Sequence, residues 1–285
     1  MRTLDELASD IDQRERQVAD IKADNEARIV FGAGVPHDRQ PLSVVYLHGF
    51  TASQAEGAPA HRTIARACAA HLFLNRLTGH GSDEPGAMAG ASPERWRADA
   101  DAALEIGLRL GEKIVLVCTS MGASLALDLA VRRPDAIAAV VAWSPGIRVH
   151  DPEQLRAALL LQGAVVPPGE RSPFQRRYWS SMVHSDGYRA IARLFIEWMR
   201  PERLGTIVCP VFFGMWDGGE GDRDTLTSVA AMREAFAWLG TAPSRRRLVA
   251  YDHAAHVLAS PERSPAAARV LADSVAFLHD VGVAR

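Results

Sequence analysis

The sequence predicts an α/β protein with a mostly parallel central sheet that is flanked by helices on both faces. Short apolar runs alternate along the chain with segments of helical periodicity. Several of these runs are apolar at consecutive positions, which is typical of strands covered on both faces. Because strands that are separated by helices form βαβ units, we expect their neighbours in the sheet to be parallel.

The predicted elements follow one another in regular order. Strands are predicted at 28–31, 43–47, 71–77, 113–119, 137–143, 207–214 and 246–251. Helices are predicted at 60–70, 94–110, 121–133, 223–239 and 264–280. Before them, the segment from Thr3 to about Ala27 carries apolar residues at helical spacing, which predicts an amphipathic N-terminal helix. We expect this helix to lie across the main domain, and self-association into a homodimer is the alternative.

One stretch interrupts the alternation. From Pro145 to about Leu204 no strand is convincing, and the segment is rich in aromatic residues, Leu and Arg. We interpret it as a mostly helical insertion that forms a cap, because ligands bind at the carboxyl ends of strands in open α/β sheets. The predicted division is 1–144 for the N-terminal helix and first half of the core, 145–204 for the helical cap, and 205–285 for the second half of the core.

Composition excludes several classes of partner. The 285 residues include 32 basic and 34 acidic side chains, a net charge of −2, which gives no electrostatic reason to expect nucleic acid. No segment approaches the run of about 18 apolar residues that a membrane-spanning helix needs, and the N-terminus lacks a signal peptide's apolar stretch. Three cysteines, Cys68, Cys118 and Cys209, match neither a disulfide framework nor a metal site. We expect a cytoplasmic protein that binds a small molecule without metal or cofactor.

The strongest chemical signal is a serine between a buried strand and an alanine-rich helix. In KIVLVCTSMGASLALDL (113–129), Ser120 lies at the turn where strand becomes helix. The helix that begins there presents unpaired N–H groups and a partial positive charge, both of which favour an attacking alkoxide and the oxyanion that it creates. A turn this tight requires small residues two positions before and after the serine. Gly122 meets the second requirement, and Cys118 stands at the first, where the usual G-x-S-x-G pattern has glycine.

Cys118 is itself an alternative nucleophile, but its position inside a predicted strand favours a small buried side chain. Two more loops follow predicted strands: HGFT (48–51) and GHG (79–81). With these loops and the serine turn in this order, the chain resembles the α/β-hydrolase superfamily, and within it the esterases and lipases. The resemblance extends from about Arg28 to the C-terminus, with 145–204 as the variable cap.

The order of catalytic residues in that family, nucleophile then acid then histidine, directs attention downstream. Asp217 follows the strand 207–214 at a spacing that resembles the family's G-x-x-D, whereas Asp222 and Asp224 lie nearer the next helix and could cap it. His256, in DHAAHVL (252–258), resembles the family's loop histidine, and His253 is the alternative. The resemblance therefore implies Ser120 as nucleophile, His256 as base and Asp217 as the carboxylate that orients the histidine.

The resemblance also implies an oxyanion hole formed by two backbone N–H groups, those of Phe50 and Met121. His48 and His80 are expected to maintain loop geometry. The implied activity is cleavage of carboxylic esters through an acyl-enzyme, and HGF is similar to the corresponding loop of bacterial carboxylesterases and monoacylglycerol lipases. A thioesterase, lactonase or carbon–carbon bond hydrolase would use the same serine, acid and histidine. An alternative of another class is a ligand-binding protein with little turnover.

Overall fold

The computed structural model describes residues 3–167 and 169–284, and its strands lie close to the predicted ones. The strands are β1 (Arg28–Val30), β2 (Gln40–Leu47), β3 (His71–Leu74), β4 (Gly111–Thr119), β5 (Ile137–Trp143), β6 (Ala164–Val165), β7 (Val183–His184), β8 (Val211–Gly219), β9 (Asp222–Arg223) and β10 (Arg246–Tyr251). The helices are α1 (Leu4–Arg16), α2 (Ala60–Ala67), α3 (Pro93–Leu110), α4 (Met121–Arg132), α5 (Pro152–Leu159), α6 (Pro173–Tyr178), α7 (Ser185–Arg193), α8 (Pro201–Leu204), α9 (Val229–Trp238) and α10 (Ala267–Asp280).

The central sheet has the strand order β1-β3-β2-β4-β5-β8-β10, and β9 pairs with the end of β8. Along this path the neighbours from β3 to β10 are parallel, whereas β1 runs antiparallel to β3 and β9 antiparallel to β8. The mostly parallel α/β architecture is therefore confirmed. Because the parallel strands share one direction, their carboxyl ends meet at one edge of the sheet.

The consecutive apolar residues of the central strands are explained by two cores, one on each face. In β4, Ile114 and Leu116 belong to one cluster of buried side chains, and Val115 and Val117 belong to the other. Helices α1, α3, α4 and α9 contribute to the first cluster, and α2 and α10 to the second. Successive side chains of a strand point to opposite faces, so a strand buried on both faces is apolar throughout.

The N-terminal helix is present but shorter than predicted. Helix α1 begins after a capping box on Thr3 and ends at Arg16, and the following segment turns through Asp20 and Asp24 with φ of 59° and 69°. A helix cannot continue through such left-handed residues. The apolar residues of α1 that suggested a contact surface, Leu4, Leu7 and Ile11, are buried in the core of this chain.

The segment between β5 and β8 contains helices α5 to α8, a π-helical turn at Leu194–Trp198 and the two-stranded pair of β6 and β7. It is mostly helical, as predicted; the β6–β7 pair was not predicted, since strands of two residues show no periodicity. The segment contacts the loop that follows β2: the backbone N–H of Ser180 donates to the carbonyl of Thr51 over 2.8 Å, and the rings of Tyr188 and Phe50 lie 5.4 Å apart. Within the described part of the chain, no helix combines the length and apolar character needed to cross a bilayer.

Candidate active site

The predicted serine turn is present at the carboxyl end of β4. Ser120 lies between β4 and α4 with φ 52° and ψ −120°, a backbone conformation that side-chain-bearing residues rarely adopt. Three hydrogen bonds hold it: the Ser120 N–H donates to Trp143 O over 3.0 Å, and Ser120 O accepts from the N–H groups of Ala123 and Gly146, each over 2.9 Å. The residue as a whole is 7 % exposed. The strained turn therefore holds the hydroxyl-bearing residue at the sheet edge.

The close approach of α4 to β2 explains the glycine two residues after the serine. A Cβ on Gly122 would lie 2.1 Å from the carbonyl oxygen of Leu47, which main-chain atoms cannot accommodate. Two residues before the serine, Cys118 is completely buried in the sheet, and its Sγ donates to Val141 O over 3.4 Å. Burial raises the pKa of the Cys118 thiol well above its ordinary value, so the thiol stays protonated. Cys118 behaves as a small core residue, as predicted.

His256 is held by a buried carboxylate, that of Asp224. The His256 Nδ1 and Asp224 Oδ2 atoms are 2.7 Å apart, with side-chain exposures of 13 % and 0 %. Burial opposes a charge on the imidazole, but the facing Asp224 carboxylate and its hydrogen bond outweigh burial and raise the pKa of His256 above 6.5. The alternative histidine, His253, is 87 % exposed.

Further hydrogen bonds stabilise the Asp224 carboxylate. Its Oδ1 accepts from the N–H groups of Leu226 and Thr227 over 2.8 Å and 3.1 Å, and its Oδ2 accepts from Thr227 Oγ1 over 3.0 Å. Burial acts to raise the pKa of this group, but His256 and these donors together lower the pKa below its ordinary value. Asp224 is therefore an ionised, immobilised carboxylate that fixes the orientation of His256.

The predicted pairing of Asp217 with His256 is wrong. Strand β8 continues past the predicted strand end to Gly219, turns, and pairs with β9, so that Asp217 lies opposite Arg223 in a hairpin. The Asp217 carboxylate accepts from Arg233 Nη2 on α9 over 2.6 Å. The chain returns along β9, and the N–H of the residue that follows this strand, Asp224, donates to Trp216 O over 3.1 Å. This return places Asp224 beside His256.

The other alternative acid, Asp222, has a structural role in the same hairpin. It accepts from Trp216 Nε1 over 2.6 Å and from the His253 N–H over 2.8 Å. Asp224 does not cap helix α9, because the N-cap of that helix is Ser228, whose side chain accepts from the Ala231 N–H. The sequence feature that indicates this hairpin is the group of glycines at its turn, Gly218, Gly219 and Gly221.

The two predicted oxyanion-hole residues border the serine turn. Met121 is the first residue of α4, where a helix leaves its N–H groups unpaired. Phe50 follows Gly49, and a Cβ on Gly49 would lie 3.1 Å from Ser120 Cβ, which places this loop against the serine. Across residues 3–167 and 169–284, neither the Phe50 nor the Met121 amide has a protein acceptor.

His48 and His80 lie behind these groups, completely buried. His48 Nε2 accepts from the Leu77 N–H over 3.1 Å, so its Nδ1 carries the proton that is donated to Gly49 O over 2.9 Å. Burial lowers the pKa of His48 to about 4 and that of His80 well below its ordinary value, so both are neutral. His48 thus connects the loop after β2 to the loop after β3, consistent with the predicted role in loop geometry.

An acidic residue that was not predicted, Glu56, lies near this site in the 3₁₀ turn Gln54–Gly57 after β2. It is 2 % exposed, and its carboxylate is one of the groups that raise the pKa of His256. A single acid among the small and apolar residues of TASQAEGAPA (51–60) was the available signal. Among the described residues, no group of three or more His, Cys, Asp or Glu side chains could hold a metal ion.

Comparisons with known proteins agree with this architecture. Residues 40–184 match the family described as serine aminopeptidase, S33. A structure of the metagenome-derived lipolytic enzymes LipS and LipT is 18 % identical, with 91 % of this chain and 99 % of that chain covered and a TM-score of 0.72. A soluble variant of monoglyceride lipase from Saccharomyces cerevisiae, in complex with a substrate analog, is 14 % identical, with coverages of 90 % and 91 % and a TM-score of 0.70.

A third similar structure is Est1E from Butyrivibrio proteoclasticus with bound ferulic acid, which is 16 % identical, with coverages of 92 % and 98 % and a TM-score of 0.63. No curated protein sequence matches this one significantly. At such identities the solved structures establish the fold, whereas the family model spans half of the chain. The chain therefore belongs to the S33 serine aminopeptidase family of α/β-hydrolases and is a serine hydrolase.

Proposed function

We propose that this protein cleaves carboxylic esters through an acyl-enzyme, with Ser120 as nucleophile, His256 as general base and Asp224 as the residue that orients the histidine. The observation that carries the proposal is the buried 2.7 Å pair of His256 and Asp224 at the sheet edge that carries the strained serine. The family and the similar lipases and esterases support an ester substrate.

The first chemical step follows from the tautomer that Asp224 imposes. The ionised Asp224 carboxylate accepts a hydrogen bond from the Nδ1–H of His256, so the ring proton stays on Nδ1 and Nε2 carries a lone pair. Nε2 takes the proton of Ser120 Oγ as the oxygen attacks the ester carbonyl, and the carbonyl electron pair moves to its oxygen. Asp224 then faces an imidazolium, which its negative charge stabilises.

The oxyanion that forms would accept hydrogen bonds from the Phe50 and Met121 N–H groups. Its collapse releases the alcohol, which takes the proton from His256, and leaves the acyl group on Ser120. A water molecule then repeats the sequence: His256 removes its proton, the oxyanion forms again, and the acid leaves as Ser120 regains its proton. Each cycle consumes one ester and one water and returns His256 to its neutral state.

We propose that residues 145–204 form a cap over this site, between core segments 1–144 and 205–285. Three contacts support this arrangement. Tyr188 packs on Phe50, a Cβ on Gly187 would lie 3.2 Å from the Phe50 ring, and Trp179 belongs to one apolar cluster with Ala52 and Val257, the neighbour of His256.

We also propose a cytoplasmic location, which is supported by three buried free cysteines, Cys68, Cys118 and Cys209. The homodimer stays a prediction, and the burial of the α1 side chains within the chain removes the surface on which it rested. A small-molecule ester is the partner that the proposed chemistry implies.

The proposed function is tested by hydrolysis of p-nitrophenyl acetate and butyrate, together with labelling by a fluorophosphonate probe. We expect turnover of both esters and a labelled peptide whose modified residue is Ser120 by mass spectrometry. Labelling without turnover would instead indicate a binding protein. A folded sample with neither labelling nor hydrolysis would disprove the mechanism. A thioester, a lactone and an aminoacyl p-nitroanilide, assayed in parallel, compare the remaining substrate classes of this site.

A further inference from the structure

A second buried carboxylate, that of Glu56, is hydrogen-bonded to the loop of the proposed oxyanion hole. Its Oε2 accepts from the Gly49 N–H over 2.6 Å and from the Tyr46 hydroxyl over 3.3 Å. The Tyr46 hydroxyl is also 3.0 Å from Thr119 Oγ1, in the residue before Ser120. One hydrogen-bonded chain therefore joins the residue before Phe50 to the residue before the nucleophile.

The Glu56 carboxylate and Ser120 both lie close to Gly49. A Cβ built on Gly49 would lie 2.9 Å from Glu56 Oε1 and 3.1 Å from Ser120 Cβ, so both atoms border the same point. Tyr46 lies on β2, and its hydroxyl donates to this carboxylate. Its ring packs closely on the 3₁₀ turn that carries Glu56, because a Cβ on Gly57 would lie 2.5 Å from the ring. The position of this carboxylate is thus fixed by the Gly49 N–H and the Tyr46 hydroxyl.

Placing a carboxylate here is costly for the folded protein. Burial raises the pKa of Glu56 to about 7, although the Gly49 N–H, His256 and Tyr46 each act to lower it. Such a group next to catalytic side chains points to a role in the site, since a neutral side chain would be buried at lower cost. Within the described residues, the titratable groups that act on Glu56 are Tyr46 and His256, and the carboxylates that act on His256 are Asp224 and Glu56.

We propose that Glu56 is a positioning residue of this site: its carboxylate anchors the loop that carries the Phe50 amide, and its negative charge supplements that of Asp224 at the His256 imidazolium. This inference rests on the proposed function for its catalytic consequences. Its electrostatic part, however, concerns His256 in the free protein and can be measured without turnover.

The electrostatic part is tested by NMR titration of the His256 ring in the wild type and in Glu56→Gln. The amide oxygen of Gln can still accept from the Gly49 N–H, so the loop stays anchored while the charge is removed. We expect the pKa of His256 to fall in Glu56→Gln, because the charge that Glu56 carries once the pH exceeds its own pKa of about 7 favours the imidazolium. The control, Glu112→Gln, removes one exposed charge at the start of β4, at the opposite end of that strand from Ser120, and should leave the pKa of His256 unchanged. An unchanged value in Glu56→Gln would overturn the electrostatic role.

The anchoring part is tested by comparing Glu56→Ala with Glu56→Gln in p-nitrophenyl butyrate hydrolysis at pH 8. Loss of the acceptor in Glu56→Ala should lower kcat by about tenfold or more with little change in KM, by analogy with loss of oxyanion stabilisation. Glu56→Gln should retain most of kcat, and the acid limb of its kcat/KM profile should move to lower pH. Equal kcat in the two variants would overturn the anchoring role. An inactive wild type would disprove the proposed function, and the NMR result would still decide the electrostatic part.

Discussion

Replacement of Asp224 by asparagine should remove almost all activity by reversing the tautomer of His256. Asp224 Oδ1 accepts two backbone N–H groups, from Leu226 and Thr227, so the amide oxygen of an asparagine must occupy that position. The NH2 group then replaces Oδ2, 2.7 Å from His256 Nδ1, and donates to it. With Nδ1 as acceptor, the ring proton lies on Nε2, which can no longer take the proton of Ser120.

The magnitude follows from the loss of two contributions, the correct tautomer and the charge that stabilises the imidazolium. Such a change in a serine hydrolase lowers kcat by about 10⁴-fold, which corresponds to roughly 5 kcal/mol in the barrier. Because the carboxamide has the size of the carboxylate and keeps the backbone donors paired, we expect the fold to persist.

The assay compares kcat for p-nitrophenyl butyrate in the wild type, Asp224→Asn and the matched control Asp217→Asn. Asp217 forms an ion pair with Arg233, which is half exposed, so its replacement removes a surface interaction worth at most about 1 kcal/mol. Asp217→Asn should therefore stay within about twofold of the wild-type kcat, since surface ion pairs contribute little. Thermal unfolding of all three proteins excludes loss of folding as the cause.

The reverse result, an inactive Asp217→Asn and an active Asp224→Asn with both proteins folded, would refute the assignment of the acid. Retention of more than about a tenth of wild-type kcat by Asp224→Asn would refute the tautomer argument, since the expected loss is about 10⁴-fold.

Three more predictions concern the serine turn and its base. Ser120→Ala should abolish hydrolysis and fluorophosphonate labelling. Cys118→Ala should keep activity within roughly a few-fold of the wild type, because Cys118 is a small buried residue. Loss of activity in Cys118→Ala alone would make the thiol the nucleophile. Gly122→Ala should lower the free energy of unfolding, measured in urea, by about 3 kcal/mol or more, because its Cβ would lie 2.1 Å from a main-chain oxygen. The control Gly86→Ala, whose Cβ would have its nearest neighbour at 3.7 Å, should leave that free energy nearly unchanged. Equal losses in the two variants would contradict the steric argument. Since the base must be neutral and the pKa of His256 is raised above 6.5, kcat/KM should fall as the pH is lowered through a value above 6.5, and a limb at or below 6.5 would contradict the geometry.

Much of this arrangement could be predicted because it depends on neighbours in the sequence. Buried strands such as β4 show their burial directly as consecutive apolar residues, and the serine turn requires small residues within a five-residue window. The order of the loops after β2, β3 and β4 then indicated the family. The predicted N-terminal helix was too long, because the helical spacing of apolar residues continues past Arg16 whereas the backbone turns at Asp20.

The acid could not be assigned in this way. Asp217, Asp222 and Asp224 all lie within one loop of the predicted topology, and spacing after the strand favoured the first. Which acid reaches the histidine is decided by a hairpin in which β8 continues to Gly219 and β9 returns. As a result, Asp217 pairs with Arg233, and Asp224 pairs with His256. Glu56 was likewise indistinguishable from a surface acid until the turn after β2 buried it.

The amino-acid sequence by itself determined the α/β architecture, the serine turn and the histidine-bearing loop, because periodicity and local turn chemistry are properties of short segments. The tertiary structure alone decided which carboxylate orients His256, and it alone buried a second one, Glu56, against the loop that approaches Ser120. Whether a carboxylate is buried, and which donors reach it, depends on segments far apart in the chain, and the electrostatic effect of each acid on the imidazole follows from that burial and distance.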